Sequence, residues 1–110
     1  MITFDDFHKV EMHVGTILTA EDFLKARKPA YKLTIDFGEI LGIKRTSAQI
    51  TVLYKKEDLI GRQVIAVTNF PPRQIANFFS EVLVLGSVDT EGVVTLLKPE
   101  RNVENGMRIA

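Results

Sequence analysis

The sequence predicts a small all-β domain whose strands close into a barrel. Three features predict it: six or seven short runs of strand-forming residues, turn-forming glycine, proline or Asn-Gly between them, and only two short helical stretches. The chain has no linker and no repeat, so residues 1–110 are expected to fold as one domain. A domain of this length can bury a core without disulfides, and the sequence contains no cysteine.

The first elements are a helical turn and a long strand. Thr3 followed by Asp6 has the form of an N-terminal capping signal, which predicts one helical turn over residues 5–10. Phe4 and Phe7 would then share one face and cap the core. Residues 11–20 are predicted to form a strand in which Gly15 is a bulge or bend.

The middle of the chain predicts two strands and a short helix. After a loop at residues 25–29, residues 30–37 alternate between apolar and polar side chains, which is typical of a half-buried strand ending at Gly38. Gly42 opens another strand, with an unusually polar face. Residues 54–60 are predicted to form a short helix that ends at Gly61.

The last third predicts the rest of the barrel. Residues 63–68 and 82–85 are apolar and are expected to be central strands, and residues 93–97 form another strand after a turn at 89–92. Asn105-Gly106 predicts a tight turn before a last short strand. The bend in the first strand and the helix between the third and fourth strands favour a five-stranded OB-fold barrel with a C-terminal β extension.

The connection between the strands at 63–68 and 82–85 is the most informative stretch. Pro71 and Pro72 cannot donate ladder hydrogen bonds, so the chain must leave the sheet there. Arg73 and the aromatic pair Phe78 and Phe79 follow before the chain returns. Because loops on a rigid sheet commonly carry binding residues, a binding site is expected on this connection.

Basic residues are concentrated in the middle of a chain whose net charge is zero. Residues 25–73 hold ten bases and four acids, whereas residues 1–24 hold one base and five acids. Such a face attracts phosphates or acidic partners, and the alternative is an ordinary solvated surface. The candidate cations for RNA binding are Lys32, Lys44, Arg45, Lys55, Lys56 and Arg73.

Catalytic chemistry is not indicated. Ser47 and Ser80 have no evident His and Asp partners, and no glycine-rich phosphate loop is present. With only His8 and His13 and no cysteine, neither a metal site nor a cofactor is predicted, and the protein is not expected to be an enzyme. No apolar run is long enough to span a membrane and the first residues are acidic, so a cytoplasmic location is expected.

Motifs along almost the whole chain resemble those of the free-standing tRNA-binding domain family. This OB fold is also appended to some aminoacyl-tRNA synthetases. F-H-K-V-E-M-H-V-G-T-I at residues 7–17 resembles the opening F-x-K-x-x-x-R-V-G-x-I, and D-F-G at 36–38 and L-I-G-R-Q-V at 59–64 resemble later motifs. N-F-P-P-R at 69–73, followed by S-E at 80–81, resembles the ending N-L-x-P-R … S-E/Q-x-M. The resemblance implies an OB fold and tRNA as a ligand.

Within that family, the segments at 30–38, 42–51, 69–76 and 80–86 most closely resemble the CsaA protein-export chaperones. The resemblance implies a cytoplasmic homodimer that binds unfolded or preprotein polypeptides and assists Sec-dependent export, with the Sec export motor as a further partner. The expected polypeptide contacts lie on the connection and are Phe70, Arg73, Ile75, Phe78 and Phe79; for the three phenylalanines the alternative is packing in the core.

Two positions depart from the tRNA-binding pattern. His13 stands where the family has arginine, so a titratable charge replaces a fixed one. In the S-x-x-M contact, Ser80 is present and Leu83 replaces methionine; both are kept as candidate RNA contacts. Two functions therefore stay open, a polypeptide-binding chaperone and a nucleic-acid module, and salt would weaken the second far more than the first.

Overall fold

The structure is a computed structural model that describes residues 1–110. Short strands dominate it, as predicted. The elements follow in this order: α1 (Phe4–His8), β1 (Met12–Asp22), β2 (Tyr31–Asp36), α2 (Gly38–Leu41), β3 (Ile43–Ala48), α3 (Lys56–Leu59), β4 (Gln63–Val67), β5 (Arg73–Ile75), β6 (Phe78–Ser80), β7 (Leu83–Val84), β8 (Gly86–Val88) and β9 (Val94–Leu96). None of the three helices has the length or apolar character needed to cross a membrane.

Five strands form an antiparallel sheet in the order β3-β2-β1-β4-β7, which curls into a nearly closed barrel. β1 is long enough to serve two neighbours: its first half pairs with β4 and its second half with β2. Between β3 and β7 the barrel is closed by individual contacts in place of a ladder. The backbone N–H of Glu81 donates to Arg45 O at 2.8 Å, and the Arg45 N–H donates to the Glu81 carboxylate at 2.9 Å. The predicted five-stranded OB barrel is confirmed.

The core fills the barrel with alternate residues of its strands. Tyr31, Leu33 and Ile35 of β2 are buried, and the residues between them are only half-buried. Leu59 closes one end of the barrel from α3, and Gly61, with φ +83°, ends that helix as predicted. Burial of this alternating set determines the register of β2, because a one-residue slip would turn every core side chain outward.

The C-terminal segment adds to the barrel in two steps. β8 and β9 form a hairpin through the predicted turn at residues 89–92. Beyond it the chain runs along the free side of β1, where Gly106 N–H donates to Val14 O at 2.7 Å and Val14 N–H donates to Met107 O at 2.9 Å. The predicted turn at Asn105-Gly106 is confirmed, and a single bridge between His13 and Arg108 stands where a last strand was predicted.

Gly15 is not the bulge that the sequence predicts. The irregularity in β1 lies between Ile17 and Thr19, where its register against β2 shifts. Gly15 is instead a point of close approach, because a Cβ there would lie 2.6 Å from the Ile35 side chain and 2.7 Å from the Phe37 ring. The absence of a side chain lets β1 curve tightly over the core.

The N-terminal helix forms where it was predicted but does not cap the core. Thr3 N–H donates to the Asp6 carboxylate at 3.0 Å and Asp6 N–H donates to Thr3 Oγ1 at 3.2 Å, which completes a capping box. Phe4, however, is 85% exposed, and Phe7 is only half-buried. The prediction is wrong because α1 buries none of its five residues, so neither phenylalanine reaches the core.

Three further elements differ from the sequence prediction. β7 has two residues and lies at the end of the sheet order, so it is not a central strand, and Leu83 is half exposed. α2 is a single turn between β2 and β3, where no element was predicted. The connection after Pro72 folds back as the two-stranded hairpin β5–β6, whose turn holds Ala76 at φ +54°.

Candidate functional site

An open groove of about 530 Å³ runs beside the seam between β3 and β7; we call it the apolar groove. Phe70 and Leu83 line it with about half of their surface exposed, at 53% and 50%, and Val82 is buried within it. The full lining is Ser47, Phe70, Pro71, Pro72, Arg73, Ile75, Ser80, Glu81, Val82 and Leu83. This groove collects most of the connection that the sequence singles out.

One wall of the apolar groove, formed by Phe70, Pro71 and Pro72, is held in place by Asn69, the residue before it. Asn69 Oδ1 accepts the backbone N–H of Glu11 at 3.0 Å, and its Nδ2 donates to Lys9 O at 2.7 Å. The chain is thus anchored immediately before Phe70, and Pro71 and Pro72 restrict the backbone after it. The wall is therefore preorganised, and less conformational entropy is lost when a ligand docks on it.

Ser80 holds the hairpin against the barrel. Its Oγ accepts the backbone N–H of Ser47 at 3.2 Å and lies 2.9 Å from Thr46 Oγ1. Thr46 is fully buried, and its hydroxyl donates to Val82 O at 2.7 Å. The Ser80 hydroxyl is committed to these internal bonds, so it builds the groove rather than offering a free group in it.

The hairpin separates the two phenylalanines that the sequence places side by side. Because Arg73 pairs with Ser80 and Ile75 with Phe78, these four side chains share the face toward the barrel. Phe78 is 9% exposed and packs against the Phe23 ring with centroids 5.4 Å apart.

Phe79 points to the opposite face and is 47% exposed. Of the five predicted polypeptide contacts, the apolar groove therefore brings together Phe70, Arg73 and Ile75. Phe78 lies in the small buried cluster beside it, and Phe79 lies outside it.

A second groove of about 570 Å³ adjoins the first; we call it the basic groove. Three cations line it, Arg27, Lys28 and Arg73, and none of them forms an ion pair. The remaining lining is Ala26, Ala30, Ser47, Gln49 and Ile75. Sequence reasoning missed Arg27 and Lys28, although the run K-A-R-K at residues 25–28 was a visible signal.

The predicted RNA-binding cations do not form one surface. Lys32 Nζ and the Arg45 guanidinium lie 5.6 and 5.5 Å from the centroid of the Phe78 ring, so these two are neighbours. Lys44 points to the other face of β3 from Arg45, because side chains alternate along a strand.

Two further predicted cations lie on α3. Lys55 is its exposed N-cap. Lys56 Nζ donates to the Asp22 carboxylate at 2.9 Å, and this hydrogen bond raises the pKa of Lys56. Lys56 is thus engaged by an acid of its own chain.

His13 lies away from both grooves. Its Nδ1 is 2.8 Å from Thr68 Oγ1, and its backbone bridges to Arg108 of the C-terminal segment. Neither groove includes it. The replacement of the family arginine by His13 therefore changes a contact between β1 and its neighbours and not the lining of either groove.

The fold defines an OB-type barrel domain with two adjoining grooves, and comparison with known proteins identifies its family. The family model described as "Putative tRNA binding domain" matches residues 12–108, and the chain belongs to this family. The chain is also similar over its full length to two solved structures of CsaA chaperones. It is 53% identical to the protein from Bacillus anthracis (TM-score 0.95, 99% of that chain covered) and 56% identical to the protein from Picrophilus torridus (TM-score 0.94, 100% covered).

Curated relatives include methionine–tRNA ligases. The chain is 36% identical over 112 residues to the enzyme from Methanococcoides burtonii, with 96% of this chain aligned. It spans only 15% of that enzyme's length, so the likeness concerns one domain of a much larger protein. A structure of a MetRS-related protein from Pyrococcus horikoshii is 26% identical, with a TM-score of 0.88 over 100% of this chain and 98% of that one.

Proposed function

We propose that this protein is a CsaA-like chaperone, not an enzyme, that binds unfolded polypeptide segments in the apolar groove. The observation that carries the proposal is the preorganised segment from Phe70 to Pro72, which lines one groove together with the half-exposed Leu83. Similarity over the full chain to two proteins described as chaperones supports it.

Binding in this groove is burial of apolar surface without a chemical step. A client side chain that enters it covers Phe70 and Leu83 and contacts Ile75 along the wall. Full burial of one large apolar side chain is worth about 1.5–3 kcal/mol, so one contact gives weak binding that is readily released. Reversible capture of many different sequences requires this kind of surface, because apolar burial has no directional demands.

The finer parts of the proposal come from the CsaA resemblance. The clients would be preproteins held in the cytoplasm for Sec-dependent export, with the Sec export motor as the receiving partner. The protein would act as a homodimer. Light scattering at micromolar concentration tests the dimer, and a mass near the 12.4 kDa of one chain would contradict it.

A matched pair of substitutions tests the apolar groove. Phe70 and Phe79 are exposed to nearly the same extent, 53% and 47%, but only Phe70 lines the groove. Phe70→Ser should weaken binding of a labelled, permanently unfolded polypeptide by about tenfold, whereas Phe79→Ser should change it little. An equal loss in both variants would extend the binding surface over the outer face of the hairpin, as the sequence predicts for Phe79. No loss at Phe70 would contradict the proposal.

A tRNA-binding module is the second candidate function, and the basic groove favours it. Arg27, Lys28 and Arg73 face the groove without acidic partners, and cations so placed attract phosphates. Arg73→Ala should weaken tRNA binding and reduce its salt dependence by about one phosphate contact. tRNA affinity that does not change with salt would exclude this function.

A further inference from the structure

We propose that an RNA strand in the basic groove and a polypeptide in the apolar groove exclude one another, so that RNA regulates client binding. The inference rests on the proposed function for the apolar groove. It starts from the fact that the two grooves share the wall formed by Ser47, Arg73 and Ile75.

The shared wall consists of three side chains from two strands. Arg73 and Ile75 lie on the same face of β5, and Ser47 lies on β3 beside them. A phosphate bound in the basic groove draws the Arg73 guanidinium toward it. A client in the apolar groove needs the aliphatic stem of Arg73 and the side chain of Ile75 as contact surface. Ligands in the two grooves would lie against the same three side chains, and each would cover surface that the other needs, so occupancy of one groove weakens the other.

The basic groove suits a phosphodiester chain better than a client polypeptide. It has three unpaired cations, and its apolar members are two alanines and the half-buried Ile75. Ser47 and Gln49 add polar side chains that can donate to phosphate oxygens.

The basic surface also continues beyond the groove. Ser47 pairs in register with Lys32, and Arg45 lies one step further along the same face of β3. Acids accompany both of these residues: Glu81 Oε1 lies 3.9 Å from Arg45 Nε, and Glu21 pairs in register with Lys32. The strongest attraction therefore stays at the three cations of the basic groove. Cations spread over a loop and neighbouring strands in this way fit several successive phosphates rather than one ion.

Mutual exclusion predicts a distinctive salt response. RNA binding through these cations weakens steeply as salt rises, whereas apolar burial does not. RNA should therefore inhibit polypeptide binding at low salt and lose that effect at high salt, while polypeptide binding alone stays nearly constant.

The test measures binding of fluorescein-labelled, reduced and carboxamidomethylated α-lactalbumin with and without unfractionated tRNA, at about 50 mM and about 200 mM salt. The test variant is Arg27→Gln/Lys28→Gln, which removes two cations that line only the basic groove. The matched control is Lys98→Gln/Arg101→Gln, which removes two exposed positive charges outside both grooves.

At low salt, tRNA should raise the apparent Kd of the wild type for the polypeptide in proportion to its concentration, about tenfold or more near saturation. The test variant should bind tRNA at least about tenfold more weakly, escape inhibition and keep its polypeptide affinity. The control variant should behave as the wild type.

Three results would overturn the inference. The first is that saturating tRNA leaves the affinity of the wild type for the polypeptide unchanged, and the second is that tRNA inhibits the test variant as strongly as the wild type. The third is that the test variant binds the polypeptide itself more weakly than the wild type does. The last result would make the basic groove a site for acidic polypeptide segments. If the wild type does not bind the polypeptide even without tRNA, the proposed function itself is refuted. Binding of tRNA to the wild type and the variants is measured separately and does not depend on that result.

Discussion

The Glu81 carboxylate accepts the backbone N–H of Arg45 at 2.9 Å, at the seam where β3 would otherwise present a free edge. A side-chain oxygen here takes the place of the carbonyl that a neighbouring strand would supply. Ser80 does the same two residues along, where its Oγ accepts the N–H of Ser47. These side-chain acceptors, with the backbone bond from Glu81 N–H to Arg45 O, close the barrel beside the apolar groove, and closing the edge protects it from pairing with other chains.

Substitution of Glu81 tests this closure. Glu81→Ala should lower the free energy of unfolding by about 1–2 kcal/mol, because it leaves the Arg45 N–H without its partner. Glu81→Gln keeps an acceptor oxygen and should lose less. Amide hydrogen exchange at Arg45 is the direct measurement: faster exchange in the alanine variant is expected, and unchanged exchange would show that the contact does not hold the seam.

Gly15→Ala should destabilise the fold by about 1–3 kcal/mol through overpacking. The added Cβ would lie within 2.8 Å of the Ile35 and Phe37 side chains, which are both buried and cannot move aside freely. Leu18→Ala, on the exposed side of the same strand, should cost no more than about 1 kcal/mol. Thermal or urea unfolding measures both, and a Gly15→Ala melting temperature equal to that of the wild type would contradict the close approach.

Ala76→Gly should stabilise the protein by about 0.5–1 kcal/mol. Ala76 is the only residue other than glycine with a positive φ, +54°, and glycine adopts that conformation without the Cβ penalty. The same change at Ala20, inside β1, should be destabilising, because a strand interior gains nothing from the extra freedom. Urea unfolding of the two variants should therefore give shifts of opposite sign.

Phe78→Ala should cost about 3 kcal/mol of stability, at the lower end of the range for buried phenylalanine, because its cluster with Phe23 and Ala30 is small. Phe79→Ala should change stability far less, since nearly half of that side chain is already exposed. Urea unfolding separates the two. Equal losses would mean that the hairpin does not divide these residues between its faces.

Asp6 should titrate below its usual value of 3.8, mainly because the backbone N–H of Thr3 donates to its carboxylate. Since its folded pKa is lowered, the capping box supports α1 above the unfolded pKa, and that support is lost as pH falls through the folded pKa. Thr3→Pro removes the donor and should return the pKa toward 3.8, whereas Thr3→Ala keeps the N–H and most of the shift. An NMR titration of the carboxyl group gives both values, and equal pKa values in the two variants would assign the shift to another cause.

Local signals were enough to predict most elements. Alternation over residues 30–37 predicted β2, and the Thr3–Asp6 spacing predicted α1. Gly61 predicted where α3 ends. Each of these signals is contained in a few consecutive residues, so it can be read without knowing the rest of the fold. The same holds for the Pro71-Pro72 wall, whose stiffness is a property of proline itself.

The chain by itself therefore determined the fold class, the family and the segment that carries the candidate site. The tertiary structure decided which residues meet there. The sequence placed Phe78 and Phe79 side by side as two polypeptide contacts, and only the pairing of β5 with β6 puts them on opposite faces, with Phe78 buried and Phe79 exposed. Arg27 and Arg73 are far apart along the chain and share a groove only because the loop after β1 folds over β3 and β5. Contacts of this kind depend on barrel closure, a long-range property that no short stretch of sequence encodes.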